Sequence, residues 1–347
     1  MSTVLNINRF IIPNDVVVSL STVYRWIGKN GFFEETVKTD LNRIVQATVE
    51  RDAYFLLKIL DLNVTDSRAR LIITKNSNPR TKDETALFRL KELLLQIQEN
   101  YREIRHQSND LLDLANFLFS HYHEIKFTYE ETDKKTVLKS QANRSKRLIL
   151  DKINEQADEI NEKKSFEKLV LYLNLFIDFY NIAPFTERNK EVSLILLLLL
   201  LLKADLEAFR YVSFFELLNN NLSEFKTEVK NASFNWKEGF AQTMGFIRFM
   251  LRLVINAYEK AYDIIKDYQF DTNLNKGYNI KNTILKLPQI FTKDEIRILH
   301  PFVSDSTINR TLIRMRDEGL IKPLGKGRSA KWIRITQEKD YGKNQLS

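Results

Sequence analysis

Few side chains in this 347-residue chain are of the kinds that carry covalent or metal chemistry. Cysteine is absent, so there are no disulfides and no thiolate metal cages. Of the histidines His106, His121, His123 and His300, only His121 and His123 lie close, as an H-x-H pair that could bind metal if extended. On a helix, residues two apart do not share a face, which argues against that use. Between Gly31 and Gly239 there is no glycine. That stretch therefore holds neither a Walker loop nor a dinucleotide fingerprint, since both need glycine for close backbone approach to phosphate.

Charge is the stronger signal. The formal net charge is +8, and residues 281–335 hold 12 Lys and Arg against 5 Asp and Glu, a net +7. A basic segment on a nearly neutral body is the electrostatic footprint of nucleic-acid binding, although a solvated face would show the same charge.

The elements that must position these groups are helices. Nine Gly and six Pro in the whole chain are too few for a sandwich, a barrel or a collagenous chain. Apolar residues at three- and four-residue spacing predict helices over 40–60, 85–104, 109–122, 166–180 and 246–265. The run 192–202 is apolar apart from Ser193 and predicts a helix buried on every side. Its 11 residues are well short of the ~20 that span a bilayer. With no basic, apolar leader at Met1, a soluble cytoplasmic protein without a membrane partner is expected. Ile125–Tyr129 alternates and, with Thr136–Leu138, predicts a small hairpin.

From Tyr278 onward the elements shorten. A helix over 280–287 stops at Pro288, Thr292 with Glu295 forms a capping box for a second, and Ser304 caps a third that ends at Gly319. Strands at 320–322 and 331–335 flank a basic turn at Gly325–Arg328. Helix, helix, helix and basic hairpin make a winged helix-turn-helix, similar to the tails of bacterial regulators. The third helix has Ile308, Leu312 and Met315 as its buried stripe and presents Ser306, Asn309, Arg310, Ile313 and Arg314 opposite. With Ser304, and with Lys326, Arg328 and Lys331 of the hairpin, these form the expected DNA-binding set.

The stretch from Leu173 contains Ala183-Pro-Phe-Thr-Glu-Arg-Asn-Lys-Glu191 followed by the leucine run. It resembles the core of Fic proteins, whose signature H-P-F-x-[DE]-G-N-G-R-x-x-R joins two core helices. Phe209-Arg-Tyr-Val-Ser-Phe-Phe-Glu resembles that family's following helix start, Trp236-Lys-Glu-Gly its closing helix, and a C-terminal winged helix is a common appendage. The resemblance spans about residues 40–335. It implies a histidine base, an acidic ligand for Mg²⁺, glycines that cradle ATP phosphates and an arginine that clamps them. Here Ala183 stands for the histidine, Arg188 for the first glycine, Lys190 for the second (as in Doc-like phosphotransferase relatives) and Glu191 for the arginine. Pro184, Phe185, Glu187 and Asn189 match. Glu50, in Gln46-Ala-Thr-Val-Glu-Arg51, stands where the inhibitory motif would lie. His300-Pro-Phe mimics the signature's start, but its acid is misplaced and no glycine follows.

The expected fold is thus mainly α, a Fic-like helical domain followed by a winged helix-turn-helix. The expected parts are an N-terminal helical region 1–83, a core 84–270, a linker 271–283, the winged helix 284–337 and a tail 338–347. The expected function is a catalytically deficient, DNA-binding regulator with no cofactor and double-stranded DNA as partner. Two alternatives stand beside it. One is a residual AMP or phosphoryl transferase using ATP, Mg²⁺ and Glu187; the other is a pseudoenzyme docking a protein in the former substrate groove. A homodimer is compatible with each.

Overall fold

With so little glycine and proline to interrupt it, the chain runs as helix after helix. The computed structural model describes residues 2–129, 145–273, 276–300, 303–325 and 330–335. Its helices are α1 (Asn14–Ile27), α2 (Asn30–Val37), α3 (Leu41–Ile59), α4 (Asp66–Lys75), α5 (Lys82–Asn100) and α6 (Ser108–Phe119). There follow α7 (Lys146–Lys163), α8 (Lys168–Ile182), α9 (Asn189–Lys203), α10 (Phe214–Asn220), α11 (Leu222–Ser233) and α12 (Met244–Asn273). The remainder is α13 (Lys276–Lys286), β1 (Ile290–Thr292), α14 (Lys293–Leu299), α15 (Asp305–Asp317), β2 (Ile321–Pro323) and β3 (Lys331–Arg334). Contacts divide the chain into two units: Met1–Glu34 with Val45–Tyr262, and Glu35–Ile44 with Asp263–Ser347. The stretch 271–283, expected as a linker, is helical at 271–273 and from 276 onward.

In the first unit every residue of Val192–Leu202 is buried, as an all-apolar helix requires. The one polar member, Ser193, satisfies its hydroxyl on the Lys190 carbonyl at 2.7 Å. Helix α8 packs against α9 and is buried from Leu169 to Phe179. Two of the residues in that buried stretch, Asn174 and Asp178, carry an amide and a carboxylate, and both are occupied. The Asp178 carboxylate accepts from the Ser2 hydroxyl, the Thr3 and Val4 amides at 2.7 and 2.9 Å, and Trp236 Nε1 at 2.7 Å. Asn174 accepts from the Thr243 hydroxyl at 3.0 Å and donates to the Val170 carbonyl at 2.8 Å. These bonds fix the short 3₁₀ helix Val4–Arg9 and the Trp236 segment onto α8.

Asp52, on α3, is also fully buried; its carboxylate accepts from the Ser213 hydroxyl at 2.6 Å and the Phe215 amide at 2.9 Å, at the start of α10. Its neighbour Arg51 pairs with Glu216.

In the second unit, β1, β3 and β2 form an antiparallel sheet in that order, with Phe291 opposite Trp332 and Lys322 opposite Ile333. Helices α13, α14 and α15 pack together through buried Ile284, Ile296, Ile308, Leu312 and Met315. Thr292 and Glu295 form the predicted capping box, the Ser304 hydroxyl accepts from the Thr307 amide at 3.2 Å, and Gly319 takes φ +72° after α15. Residues 35–44 belong here too: Arg43 donates to the Val303 carbonyl at 2.6 Å, and the Tyr268 hydroxyl donates to Asp40 at 2.8 Å. His300, the decoy of the sequence, is buried and shares a 2.7 Å hydrogen bond with the Thr283 hydroxyl.

Two measurements test this core. Replacing Leu196, Leu199 or Leu200 by alanine should cost roughly 2–5 kcal/mol each in denaturant unfolding; losses near zero at all three would disprove the burial of α9. Burial pushes the Asp52 carboxyl up to about 7, against the opposing pull of its bonds to Ser213 and Phe215. The folded chain therefore holds a proton there that the unfolded chain releases near pH 4, and this contribution to stability is lost as pH rises through about 7. Stability measured from pH 4 to 7 should accordingly fall more steeply in the wild type than in Asp52→Asn, whose neutral side chain has no such proton to lose.

Candidate functional site: the 183–191 loop and the basic face

Helix α8 ends because Ala183 turns left-handed, at φ 44°, and α9 begins after Arg188 does the same at φ 62°. Residues other than glycine pay roughly 1–2 kcal/mol for this conformation, so the surroundings must impose it. They do so from two sides. Within the loop, Asn189 accepts from the Phe185 amide at 2.9 Å and donates to the Phe185 carbonyl at 2.8 Å. From outside, Thr128 donates its amide to the Pro184 carbonyl at 2.8 Å, and the Thr186 amide donates to the Lys126 carbonyl at 2.9 Å. Lys146 Nζ donates to the Ala183 carbonyl at 3.1 Å. Phe185 is buried between Phe127 and Phe179, with ring centroids at 5.5 and 5.9 Å.

The alternating segment Ile125–Tyr129 thus pairs with the loop, through Phe127 opposite Phe185, and with Ser145 through Tyr129. The sequence suggested a hairpin from the same alternation; residues 130–144, which include its second half, lie outside the described residues. Lys126, Thr128 and Lys146 were missed as loop supports. The only signal for them was the alternation itself, which names no partner.

Two charged groups of the loop, Arg188 and Glu191, are engaged with each other. The Arg188 guanidinium lies over Tyr122 and Phe119, at 4.7 and 5.1 Å from the ring centroids, and pairs with Glu191 at 3.0 Å. Glu191 stands in the first turn of α9, where a negative charge complements the helix dipole. Ala183 has no group that could take a proton. Glu187 Oε1 is buried without a hydrogen bond, with His123 Nδ1 at 3.6 Å. Lys190 is exposed.

His121 does not face the same partners as His123: its ring lies 3.3 Å from Arg89 Nη1 and 2.9 Å from the Lys82 carbonyl. Burial, with the nearby cations, holds its pKa below the usual histidine value. Among the described residues no group of three His, Asp or Glu side chains could hold a metal ion. Glu50 sits half-buried on α3.

The second candidate set lies on α15 and the sheet. Ser306, Asn309, Arg310 and Arg314 are exposed on α15, opposite its buried stripe. Ser304 caps the helix and shares a 2.9 Å contact with the Ser306 hydroxyl, and Arg314 lies 3.8 Å from Glu318. Lys331 is exposed at the start of β3, and exposed Lys322 on β2, which the sequence reading did not single out, extends the basic group. Lys326 and Arg328 lie outside the described residues. No described helix is long and apolar enough to cross a membrane.

No protein-family model and no curated protein sequence matches this chain. Solved structures do. A Fic family protein from Desulfovibrio desulfuricans is similar over 97% of this chain and 99% of its own, with a TM-score of 0.51 and 14% identity. A Fic-domain-containing signaling protein from Bacteroides thetaiotaomicron is similar over 72% of this chain and 98% of its own, with a TM-score of 0.49 and 14% identity. The leucine helix α9, entered from α8 through the Ala183–Glu191 loop, is therefore part of a mainly α chain with the fold of Fic proteins.

Proposed function

We propose that this chain is a catalytically deficient Fic-fold protein that acts as a DNA-binding regulator, with its second unit as a winged helix-turn-helix. The observation that carries this reading is helix α15. One of its faces is buried on α13 and α14, while the other holds exposed Ser306, Asn309, Arg310 and Arg314, beside a sheet that carries Lys322 and Lys331. A helix of this kind enters a major groove with its first turns on base edges, and neighbouring strand lysines meet phosphate. The element order of helix, strand, two helices and two strands, with β3 central in the sheet, agrees with the winged-helix reading.

The deficiency is argued from the loop. ATP with Mg²⁺ is what the fold implies, and the residues present do not fit it. Position 183 offers no base; a positioned base contributes about 10²–10⁴-fold in such reactions. The Arg188–Glu191 pair occupies the N-terminal turn of α9, so an arriving phosphate would meet a carboxylate. A second reading, residual nucleotide handling, draws on buried Glu187 Oε1, which has lone pairs to offer a cation.

Incubation of the full chain with labelled ATP, Mg²⁺ and cell lysate should leave no labelled band above background. Labelling that disappears in Glu187→Ala would favour the second reading. The DNA reading is checked by mobility shift and salt titration. The full chain should bind duplex DNA, and Arg310→Ala should lose about 1–3 kcal/mol of discrimination where it makes a bidentate base contact. Lys331→Ala should weaken all sequences alike and flatten the log-affinity against log-salt slope by about 0.9. Affinity untouched by both variants would instead make the second unit a protein-docking module.

A further inference from the structure

The exposed face of α15 is polar except at one place, Ile313. At about 100° per residue, Ile313 lies within roughly 20° of Ser306 around the helix, with Asn309 about 40° to one side and Arg310 about 60° to the other. It therefore stands in the middle of the face that points away from the buried stripe of Ile308, Leu312 and Met315. It is 47% exposed. A single exposed apolar residue needs no explanation on most surfaces. Its position here does, because a β-branched side chain at the centre of a solvated helix face gains nothing from burial and does not favour the helix.

The groups around Ile313 are set out for a ligand rather than for one another. Neither the Asn309 amide nor the Arg310 guanidinium has a hydrogen bond or ion pair with another described residue. Toward the end of the helix the charges are engaged: Arg316 pairs with Asp317 at 2.8 Å, and Arg314 lies 3.8 Å from Glu318. At its start Asp305 lies 3.4 Å from Arg297 and 3.6 Å from Lys293, which offset its charge. With Lys322 and Lys331 exposed on the neighbouring strands, the surroundings of Ile313 are cationic and match a polyanion.

Along the axis Ile313 is about 4.5 Å beyond Arg310 and about 6 Å beyond Asn309. A helix that sets those two side chains on base edges thus sets Ile313 on a base one or two pairs away. Most of what a base edge displays in the major groove is a hydrogen-bond donor or acceptor, for which isoleucine has no use. The apolar group displayed there is the 5-methyl of thymine.

We propose that Ile313 packs on a thymine 5-methyl group and so makes α15 select a thymine beside the base pairs that Asn309 and Arg310 contact. The inference rests on the DNA-binding reading of this helix and adds a base identity to it.

The test starts from a pool of random-sequence duplexes, from which the full chain retains its tightest binders. Fluorescence anisotropy at one fixed salt concentration then compares a retained duplex with copies in which each thymine in turn is deoxyuridine, which lacks only the methyl group. At one position the change should weaken the wild type about fourfold, the worth of one buried methyl. Ile313→Ala should bind the thymine and uridine duplexes equally at that position, and Ile313→Val should keep most of the difference. Leu285→Ala, which removes an exposed apolar side chain from α13, should keep all of it. Because Ile313 lies outside the buried stripe, circular dichroism should show both of its variants folded. The inference is overturned if no thymine position responds, or if folded Ile313→Ala still distinguishes the two bases. Either result leaves duplex binding itself intact, whereas a pool from which no duplex is retained overturns the DNA reading and this inference together.

Discussion

A carboxylate in the middle of an apolar helix is tolerable only if its lone pairs are filled, and Asp178 sets that condition for the first unit. Apart from Tyr172 and Asn174, the rest of the buried stretch of α8 is apolar, and burial pushes the Asp178 pKa up. Four donors oppose that shift: the Ser2 hydroxyl, Trp236 Nε1 and the Val4 and Thr3 amides. Each donor comes from a segment far away in sequence, so satisfying one acid folds the N-terminal 3₁₀ helix and the Trp236 segment onto α8. Removing any of them leaves a desolvated acceptor, which costs more than the lost bond itself. With α8 pinned in this way and the Val192–Leu202 stretch of α9 dry on every side, the six residues that join the two helices have fixed ends.

Those fixed ends explain why the loop holds two left-handed residues without glycine. Ala183 and Arg188 are placed where the helices stop, and the hydrogen bonds of Asn189, Thr128 and Lys146 hold the backbone between them. Of the four residues that agree with the Fic pattern, three have work to do in this scaffold. Pro184 supplies the carbonyl that Thr128 reads, Phe185 fills the core, and Asn189 clasps the turn. The departures, Ala183, Arg188 and Glu191, sit where the pattern assigns proton transfer and phosphate binding. Folding constrains the first group whatever the protein does, whereas the second group meets the fold through the left-handed helix ends and the Arg188–Glu191 pair.

The legible parts of the fold were those with a local signature. The leucine run names its own burial, and the capping box at Thr292, the Ser304 cap and the stop at Gly319 bound α14 and α15. The loop was legible as a motif with altered members. What was not legible depends on a partner distant in sequence. β1 is three residues long, too short for any period, and exists because β3 pairs with it. The pairing of Ile125–Tyr129 with the loop is of the same kind. So is the membership of residues 35–44 in the second unit, through Arg43 with Val303 and Asp40 with Tyr268. His106 read only as one of four scattered histidines; its partners arrive from α7 and α9, 48 residues or more along the chain.

The two ends of α9 show how one rigid element can carry different chemistry at each terminus. At its start the unsatisfied amides favour anions, and the chain meets them with its own Glu191, tied to Arg188. At its end the Leu200, Leu201 and Leu202 carbonyls accept from the backbone amides that follow the helix, and Lys203 stands there with its pKa lowered by burial and by Lys168. At the second terminus the Lys203 ammonium donates to the Arg102 carbonyl at 3.2 Å and so ties the turn after α5 to the end of α9. The charges of Glu191 and Lys203 thus each complement the helix dipole at their own end of α9.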